Sequence, residues 1–437
     1  MPPSLIVVGA GMAGLSAAHR ARQLGADVRV FEASARAGGV VETVRDGGWT
    51  ADLGPNSAAE RPALRQLVAD LGLADRRREA AEGARYVAWD GQPVALPRSP
   101  LGLARTPLLS RRGRLRLLTE PFRRRARRDD ESLAGFVTRR LGPEVLAAAV
   151  DPFVAGVYAG DVSQLSVRHA FPRLWEMERR HGSLLRGALR GRRARAPRAP
   201  SVSFADGMQM LPDALAADLG DRLRLGARVA AAHPEGAGWR VELASGETHA
   251  ADRLLLAVPV HRLDGLLPHV PSSVAAVTSP PVAVHALGFR RGDVAHALDG
   301  LGVLVPSREP LPLLGALFSS TMFPGRAPDG HVLLTAFVGG TRQPDLARAP
   351  APEREARVLD ALGALLGVRA APVWSRTRLW RRAIPQYTLG HGLLLDALRQ
   401  LEADHPGLGL AGSYRGGIAL ADAAASGRAA AERLVEA

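Results

Sequence analysis

Residues 5–14 read Leu-Ile-Val-Val-Gly-Ala-Gly-Met-Ala-Gly, and this stretch decides the fold. The apolar run Leu5–Val8 is typical of a buried parallel strand, and the glycine-rich turn leads into a helical pattern over 15–24. A second apolar run, Val28–Phe31, ends at Glu32. The order of strand, GxGxxG turn, helix, strand and acid predicts a dinucleotide-binding βαβ unit.

The glycines and the acid of this unit have separate functions. Gly9 permits a tight turn, Gly11 lets the backbone approach a pyrophosphate, and Gly14 lets helix and strand pack closely. The helix N-terminus attracts phosphate charge, and Glu32, 18 positions after Gly14, can accept hydrogen bonds from a ribose hydroxyl. The unit therefore supplies these predicted cofactor-binding residues: Gly9, Ala10, Gly11, Met12, Ala13, Gly14 and Glu32.

Two further glycine-rich stretches point to a flavin. The pair Gly38-Gly39, shortly after the acid, resembles the extended fingerprint of FAD-binding proteins of the glutathione-reductase-like superfamily. Near the C-terminus a predicted strand, Leu408–Ala411, is followed by a glycine-rich turn and a helix over 421–435. The N-terminus of that helix suits the negative charge that collects at the N1/C2 carbonyl edge of a reduced flavin.

Composition excludes several classes of protein. A chain of 437 residues with 46% hydrophobic and 23% charged residues predicts two or three globular domains rather than a disordered or fibrous protein. No apolar run approaches the roughly 18 residues of a spanning helix, and the first residues lack an export signal, so we expect a cytoplasmic protein. The absence of cysteine excludes disulfides, thiolate metal sites and a cysteinyl–cofactor bond, which predicts a non-covalent cofactor and no metal.

All 57 cationic residues are arginine, and the formal net charge is +14. Without lysine there is no Schiff-base chemistry and no lysine beside a flavin. Residues 98–128 carry eleven arginines and one acid, and 186–198 carry six arginines and no acid. Coding bias with solvated helix faces explains such runs, and so does contact with an anionic membrane surface, because Leu115, Leu117, Leu118 and Phe122 lie among them. No aromatic interleaving or module favours nucleic acid.

The remaining patterns predict a discontinuous nucleotide domain with two insertions. After Ser203–Gly207 and a helix over Met210–Leu219, we expect a strand over 223–229 whose backbone at Val229 reaches the adenine, then a small β-meander and a returning strand over 254–258. The first insertion, 97–200, is predicted to be helical. The second, 260–400, is predicted to alternate strands with one helix, Glu353–Leu366; the expected strands are Val282–Phe289, Gly300–Val305, Leu314–Phe318 and Val332–Val338.

Several stretches then resemble the protoporphyrinogen oxidase and coproporphyrinogen III oxidase family along nearly the whole chain. They are Gly54-Pro55-Asn56-Ser57, Arg85-Tyr86-Val87, residues 156–161 with Leu165-Ser166 and Ala170-Phe171-Pro172, residues 384–391, and the glycine-rich C-terminus. The resemblance implies a monoamine-oxidase-like fold: a Rossmann-like FAD-binding domain, a mixed-sheet substrate domain and a helical membrane-docking insertion. The implied boundaries are 1–80, 201–262 and 400–437 for the FAD domain, 81–96 and 263–399 for the substrate domain, and 97–200 for the basic insertion.

The resemblance also implies site residues. Further FAD contacts would fall on Ala33, Val40, Gly54, Pro55, Asn56, Ser57, Val229, Ser413, Ile418, Ala419 and Leu420. Arg36, Gly38, Gly39 and Trp380 are further predicted cofactor-binding residues. Arg85 would bind a substrate propionate, and the backbone carbonyl of Gly156 would face the macrocycle. The implied reaction is three hydride transfers from a porphyrinogen to flavin N5, each followed by reoxidation by O2 to give H2O2. Such a reaction needs positioning, carboxylate neutralisation and a carbonyl dipole rather than a strong base.

Alternatives remain open at this point. The substrate is protoporphyrinogen IX or coproporphyrinogen III, and the residues do not decide between them. More distant alternatives are a carotenoid desaturase, a flavin amine oxidase, which the absence of lysine disfavours, and a cofactor-free binding protein. A ferrochelatase contact and a homodimer are conceivable partnerships. His391 is interpreted as structural, and Trp380 and Tyr158 fit either the core or the flavin face.

Overall fold

The computed structural model describes residues 3–126, 129–191 and 199–436. In those ranges the strands are β1 (Ser4–Val8), β2 (Asp27–Phe31), β3 (Thr43–Asp46), β4 (Trp49–Asp52), β5 (Ala58–Ala59), β6 (Arg77–Glu79), β7 (Ala84–Trp89), β8 (Gln92–Ala95), β9 (Ser201–Phe204), β10 (Leu223–Arg224), β11 (Val229–Glu235), β12 (Gly238–Leu243), β13 (Thr248–Ala251), β14 (Arg253–Leu256), β15 (Val282–Arg290), β16 (Gly300–Leu304), β17 (Gly315–Phe318), β18 (His331–Gly339), β19 (Trp374–Trp380) and β20 (Leu408–Leu410).

The α-helices of the same ranges are α1 (Met12–Gln23), α2 (Pro62–Asp70), α3 (Pro100–Arg105), α4 (Arg111–Leu118), α5 (Leu133–Arg140), α6 (Pro143–Val145), α7 (Asp151–Tyr158), α8 (Val167–Ala170), α9 (Pro172–His181), α10 (Leu184–Gly191), α11 (Met210–Leu219), α12 (Ser272–Ala275), α13 (Ser319–Met322), α14 (Pro344–Arg348), α15 (Ala351–Leu366), α16 (His391–Asp404) and α17 (Leu420–Glu436). None of these helices is both long enough and apolar enough to cross a membrane.

A parallel sheet in the order β10-β2-β1-β14-β20 forms the first layer of the fold. Its strands come from three separated stretches of the chain, and β1 lies at its centre, pairing with both β2 and β14. The strand residues are apolar on both faces because helices and a second small sheet cover the two sides. The βαβ unit predicted from the first residues is therefore the centre of this layer.

A second, seven-stranded sheet has the order β19-β15-β18-β17-β16-β7-β8. Its first two strands in the chain, β7 and β8, are separated from the others by the helical insertion, and β7 pairs in parallel with β16. Helix α15 covers one face of this sheet. Helix α7 of the insertion lies over the other face, where Ala155 packs with Val282, Val284 and Leu314. The four strands predicted for 260–400 are present as β15, β16, β17 and β18, each within one residue of the predicted bounds at either end.

The insertion is helical, as predicted, from α3 to α10. A buried ion pair between Glu120 and Arg140 holds its helices together. Burial alone would raise the pKa of Glu120, but hydrogen bonds from the Ser183 hydroxyl and the Leu184 N–H lower it below its usual range. The predicted arginine runs are only partly covered, because residues 127–128 and 192–198 lie outside the described ranges.

Three expectations differ from the structure. Residues 223–229 do not form one strand: Gly226, with φ of +69°, turns the chain between β10 and β11, so Val229 begins the three-stranded meander instead of extending the parallel sheet. Strand β19 was not predicted. One helix was expected in 260–400, but α12, α13 and α14 also lie there, and α16 begins at His391 and runs across the expected boundary between 399 and 400.

Candidate active site

The turn between β1 and α1 is closely packed at two glycines and open at the third. Gly9 has φ of +100°, and a Cβ there would lie 2.8 Å from the carbonyl oxygen of Ala257. A Cβ on Gly14 would overlap the Gly9 carbonyl oxygen, whereas a Cβ on Gly11 would meet no atom within 4 Å. The free space at the N-terminus of α1 is therefore at Gly11, where a pyrophosphate was predicted to approach.

Glu32 lies at the end of β2, directly beside this turn. Its Oε2 accepts a hydrogen bond from the Ala10 N–H at 2.7 Å, and its Oε1 accepts from the Ser34 N–H at 2.8 Å. A carboxylate offers about four lone-pair positions, so capacity remains for a ribose hydroxyl. The Glu32 carbonyl also accepts from the Ala227 N–H at 2.8 Å, which brings Val229, two residues further on, close to Glu32 and Ala33.

The second glycine pair packs against the first turn. The Gly38 N–H donates to the Ala10 carbonyl at 2.8 Å, and a Cβ on Gly39 would lie 3.2 Å from the Gly11 Cα. The Arg36 guanidinium fixes this segment by donating to the carbonyls of Gly39 at 2.5 Å and Val41 at 2.6 Å. These contacts place the predicted residues 36–39 on one side of the open space.

The segment 54–57 continues from that pair. Gly54 packs directly on the Val40 carbonyl, because a Cβ there would overlap its oxygen, and the Val40 side chain itself is exposed. The Asn56 amide donates to the Gly54 carbonyl at 3.0 Å. Pro55 and Ser57 flank Asn56. The Trp380 indole N–H donates to the Leu53 carbonyl at 2.7 Å, so Trp380 joins the substrate sheet to this segment while its ring packs near Ala155.

Helix α17 reaches beyond the N-terminus of α1. The two helices pack closely together: a Cβ on Gly427 would overlap the Ala13 carbonyl oxygen. Ala13 is the second residue of α1 and Gly427 the eighth of α17. Arg20 of α1 also pairs with Glu432 of α17, so the two helices run in the same direction, and at 1.5 Å per residue α17 begins about 9 Å beyond the N-terminus of α1. No acceptor in the described part of the chain takes the N–H groups of Leu420 and Ala421.

Sequence reasoning left Tyr387 without a role, although it lies in the 384–391 motif. Its buried hydroxyl donates to the Ser413 carbonyl at 2.5 Å and accepts from the Gly417 N–H at 2.9 Å, so it fixes the turn that leads to Ile418, Ala419 and Leu420. Its ring stacks on buried His391, with centroids 4.0 Å apart. Tyr158 is also buried, and its hydroxyl donates to the Ala170 carbonyl at 2.7 Å.

Sequence reasoning also missed a buried ion pair between Asp52 and Arg326, whose closest atoms are 3.1 Å apart. Asp52 further accepts hydrogen bonds from the Thr43 hydroxyl and the Met208 N–H. Burial raises the pKa of Asp52, while Arg326 opposes that rise. Because Asp52 immediately precedes the 53–57 segment, the pair ties this segment to the connection between α13 and β18 of the seven-stranded sheet.

Arg85 lies on β7, opposite Gly302 of β16. Val87 lies two residues further along β7, so its side chain is on the same face of the sheet as that of Arg85. Val87 packs on Leu108 and Ala148 of the insertion, which therefore covers this face. Arg85 is exposed and forms no ion pair with any residue in the described ranges.

Gly156 lies over the same sheet face. A Cβ on Gly156 would overlap the side chain of Leu304, which pairs with Val87 two residues along the strand from Arg85. From strand spacings, the backbone of Arg85 is roughly 8 Å from the point on the sheet beneath Gly156. Gly156 is in the last turn of α7, which ends at left-handed Ala159, and no hydrogen bond among the described residues uses its carbonyl oxygen. That carbonyl presents the negative end of a helix.

Two buried histidines give the protein a predicted pH dependence. Burial lowers the pKa of His285 and of His391 to about 4, against about 6.5 in an unfolded chain. The unfolded state therefore binds more protons between these values, so the free energy of unfolding should fall by up to about 3 kcal/mol per histidine as the pH drops from 6.5 to 4. Urea unfolding at several pH values measures this, and His285→Leu should flatten the slope. An unchanged slope in that variant would contradict the assignment.

The residues present fit FAD. There is open space at Gly11, an acid with free lone pairs at Glu32, and a helix N-terminus with free N–H groups about 9 Å beyond. Within the described residues no cluster of acids and histidines could hold a metal ion. Direct contacts thus link the predicted cofactor residues of the 9–14 turn, Glu32 and the segments 36–40 and 54–57, and Arg85 of β7 and Gly156 of α7 form a second group over one face of the seven-stranded sheet.

Comparisons with known proteins agree with this geometry. The family model "Flavin containing amine oxidoreductase" matches residues 12–435. The mitochondrial protoporphyrinogen oxidase of Nicotiana tabacum is 35% identical, over 98% of this chain and 94% of its own length. The coproporphyrinogen III oxidase of Bacillus subtilis (strain 168) is 28% identical, over 98% of this chain and 96% of its own.

Solved structures show the same fold. The crystal structure of a protein from Exiguobacterium sp. 255-15 superposes on this chain with a TM-score of 0.86 at 25% sequence identity. The match covers 99% of this chain and 98% of the other. Cyclohexylamine oxidase from Brevibacterium oxydans IH-35A superposes with a TM-score of 0.73 at 17% sequence identity, covering 100% of this chain and 99% of the other. The chain belongs to the flavin containing amine oxidoreductase family, within the group that includes the protoporphyrinogen oxidases, and it is an FAD-dependent oxidase.

Proposed function

We propose that this chain oxidises protoporphyrinogen IX to protoporphyrin IX, with three molecules of O2 accepting six electrons and six protons as three H2O2. The observation that carries the proposal is the pairing of a free arginine, Arg85, with the free helix-end carbonyl of Gly156 on one sheet face. The relatives that match nearly the full chain carry the names of porphyrinogen oxidases. Coproporphyrinogen III, with four carboxylates instead of two, is the second candidate.

In the proposed reaction, Arg85 and Gly156 have separate functions. FAD supplies a two-electron acceptor when it is bound. The Arg85 guanidinium pairs with a propionate and orients the macrocycle. The carbonyl dipole of Gly156, at the negative end of α7, stabilises the positive charge that develops on the pyrroles as a bridge carbon loses hydride. Apolar packing of α7 on the sheet, through Ala155 with Val284 and Leu314, fixes the position of the Gly156 carbonyl.

Arg85→Ala should raise KM about tenfold or more while kcat falls less, because the propionate contact is equally strong in the ground and transition states. Steady-state porphyrin formation measures both constants. Arg290→Ala is the matched control, since Arg290 is an exposed arginine at the far end of β15. Wild-type constants for Arg85→Ala would remove Arg85 from the substrate site.

We further propose that the insertion docks on an anionic membrane surface. Large apolar side chains are exposed there among arginines, with Leu118 72% and Phe122 82% exposed. Glu120, two residues before Phe122, accepts from the Leu184 N–H at 2.9 Å, so the start of α10, which also carries exposed Leu189, packs beside this segment. Mixed apolar and cationic surfaces of this kind bind the interface of anionic bilayers. A peripheral location at the cytoplasmic membrane follows from the proposal.

Sedimentation with vesicles tests the docking surface. We expect binding to anionic vesicles, weaker binding to neutral ones, and loss at high salt. The double variant Leu118→Asp/Phe122→Asp should abolish sedimentation, whereas Val373→Asp, at an exposed apolar residue outside the insertion, should not change it. Equal sedimentation of the double variant, or binding that salt leaves unchanged, would refute this docking mode.

A further inference from the structure

We infer that Arg61 and Asp422 form a charge pair that sets the electrostatic potential at the end of the cofactor site faced by α17. The pair thereby tunes the balance between oxidised and reduced FAD. The inference depends on FAD binding and holds for any porphyrinogen or other reductant. Arg61 precedes α2, and Asp422 is the third residue of α17.

The contacts place the Asp422 carboxylate inside the site. The Arg61 guanidinium donates to its Oδ1, and the Ala419 N–H donates to its Oδ2 at 3.3 Å. A Cβ on Gly417 would overlap Oδ2. The carboxylate therefore lies in the turn 417–419, beside the free N–H of Leu420, on which the cofactor edge was predicted to rest.

The charge of Asp422 extends to the other side of the site. Burial raises the pKa of Tyr158 to about 12, with Asp422 adding to the rise and Arg61 opposing it. Burial raises the pKa of Tyr387 as well, and Asp422 contributes again. Tyr158 belongs to α7 and Tyr387 to the 384–391 segment, so the charge of Asp422 acts on groups from two separate parts of the chain.

The sign of the effect follows from electrostatics. A reduced flavin carries negative charge at its N1/C2 edge, which a helix N-terminus stabilises and a neighbouring carboxylate destabilises. Arg61 neutralises that carboxylate. Its side chain is 51% exposed, against 15% for Asp422, so Arg61 can be removed without opening the core. The two residues are positioning residues: they act on the potential of the site and not on the reacting atoms of the substrate.

The test is a double-mutant cycle of Arg61 and Asp422. For each variant, two quantities are measured: the two-electron reduction potential of bound FAD and the dissociation constant of FAD. Asp422→Asn should raise the potential, and Arg61→Ala should lower it, each by about tenfold in the affinity ratio of reduced to oxidised FAD. A tenfold ratio corresponds to about 30 mV for two electrons. In the Asp422→Asn background, Arg61→Ala should again lower the potential and return it close to the wild-type value, because the potentials of the two charges add; Arg61→Lys alone should retain the wild-type potential.

Arg65→Ala is the matched control, because Arg65 is an exposed arginine of the same helix α2, and it should leave the potential unchanged. Asp422→Ser keeps a capping oxygen and replaces Asp422→Asn if the latter does not fold. Shifts of the same sign in the two single variants, or unchanged potentials in both, would overturn the inference. A wild-type protein that binds FAD but oxidises no porphyrinogen would instead refute the proposed function and leave the cycle measurable.

Discussion

Gly11→Val should abolish FAD binding while the apoprotein remains as stable as the wild type. A Cβ on Gly11 meets no protein atom within 4 Å, and its φ of −74° suits any residue, so the fold has no reason to change. The branched side chain would instead fill the space where a pyrophosphate must approach the backbone. We expect the FAD dissociation constant to rise at least about a hundredfold, as measured by quenching of flavin fluorescence.

Gly14→Val provides the contrasting variant three positions away. A Cβ on Gly14 would overlap the Gly9 carbonyl oxygen, so this substitution should destabilise the apoprotein itself and lower its Tm. The two glycines of one motif would thus separate a ligand contact from a packing contact. Tight FAD binding by Gly11→Val would contradict the site assignment.

Arg326→Met should cost about 3–5 kcal/mol of unfolding free energy, because it leaves the Asp52 carboxylate buried without its cation. Arg308→Met, at an exposed pair with Asp90, should cost no more than about 1 kcal/mol and serves as the control. Chemical unfolding measures both variants at pH 7.

The pH dependence of the Arg326→Met variant tests the cause. Burial raises the pKa of Asp52, so the folded state binds a proton more readily than the unfolded state. The stability lost in Arg326→Met should therefore be partly recovered as the pH falls toward the ordinary range of a carboxyl group. Asp52→Asn in the same background should recover stability at pH 7. A deficit independent of pH and of Asp52→Asn would show that packing, not charge, is responsible.

Local patterns were sufficient for the nucleotide-binding unit. The glycines, strand and acid of residues 5–32 lie within one supersecondary unit, so their spacing reports their geometry directly. Strand β19 was missed because it is an edge strand, which pairs with β15 alone among the described strands. Its arginines at 376 and 378 face solvent, so the alternation of apolar and polar residues that marks a strand is not visible in the sequence. The turn at Gly226, which separates β10 from β11, was also not predicted.

Long-range contacts account for the rest of what sequence reasoning could not supply. The Trp380 indole bonds to the Leu53 carbonyl 327 positions away, and Arg61 pairs with Asp422 361 positions away. Such contacts depend on the packing of the two sheets and of α17, which no local pattern encodes. The resemblance identified Arg85 and Gly156, and only the fold shows that they share one sheet face.

The central claim is tested most directly by aerobic porphyrin fluorescence with the FAD-loaded protein. Freshly reduced protoporphyrinogen IX and coproporphyrinogen III are supplied in parallel, against wells without enzyme. We predict a rise in fluorescence above the uncatalysed rate with protoporphyrinogen IX, with about three O2 consumed per porphyrin, as a six-electron oxidation requires. A higher kcat/KM for coproporphyrinogen III would transfer the assignment to the second candidate. No enzymatic rise with either compound, in protein that binds FAD, would contradict the account.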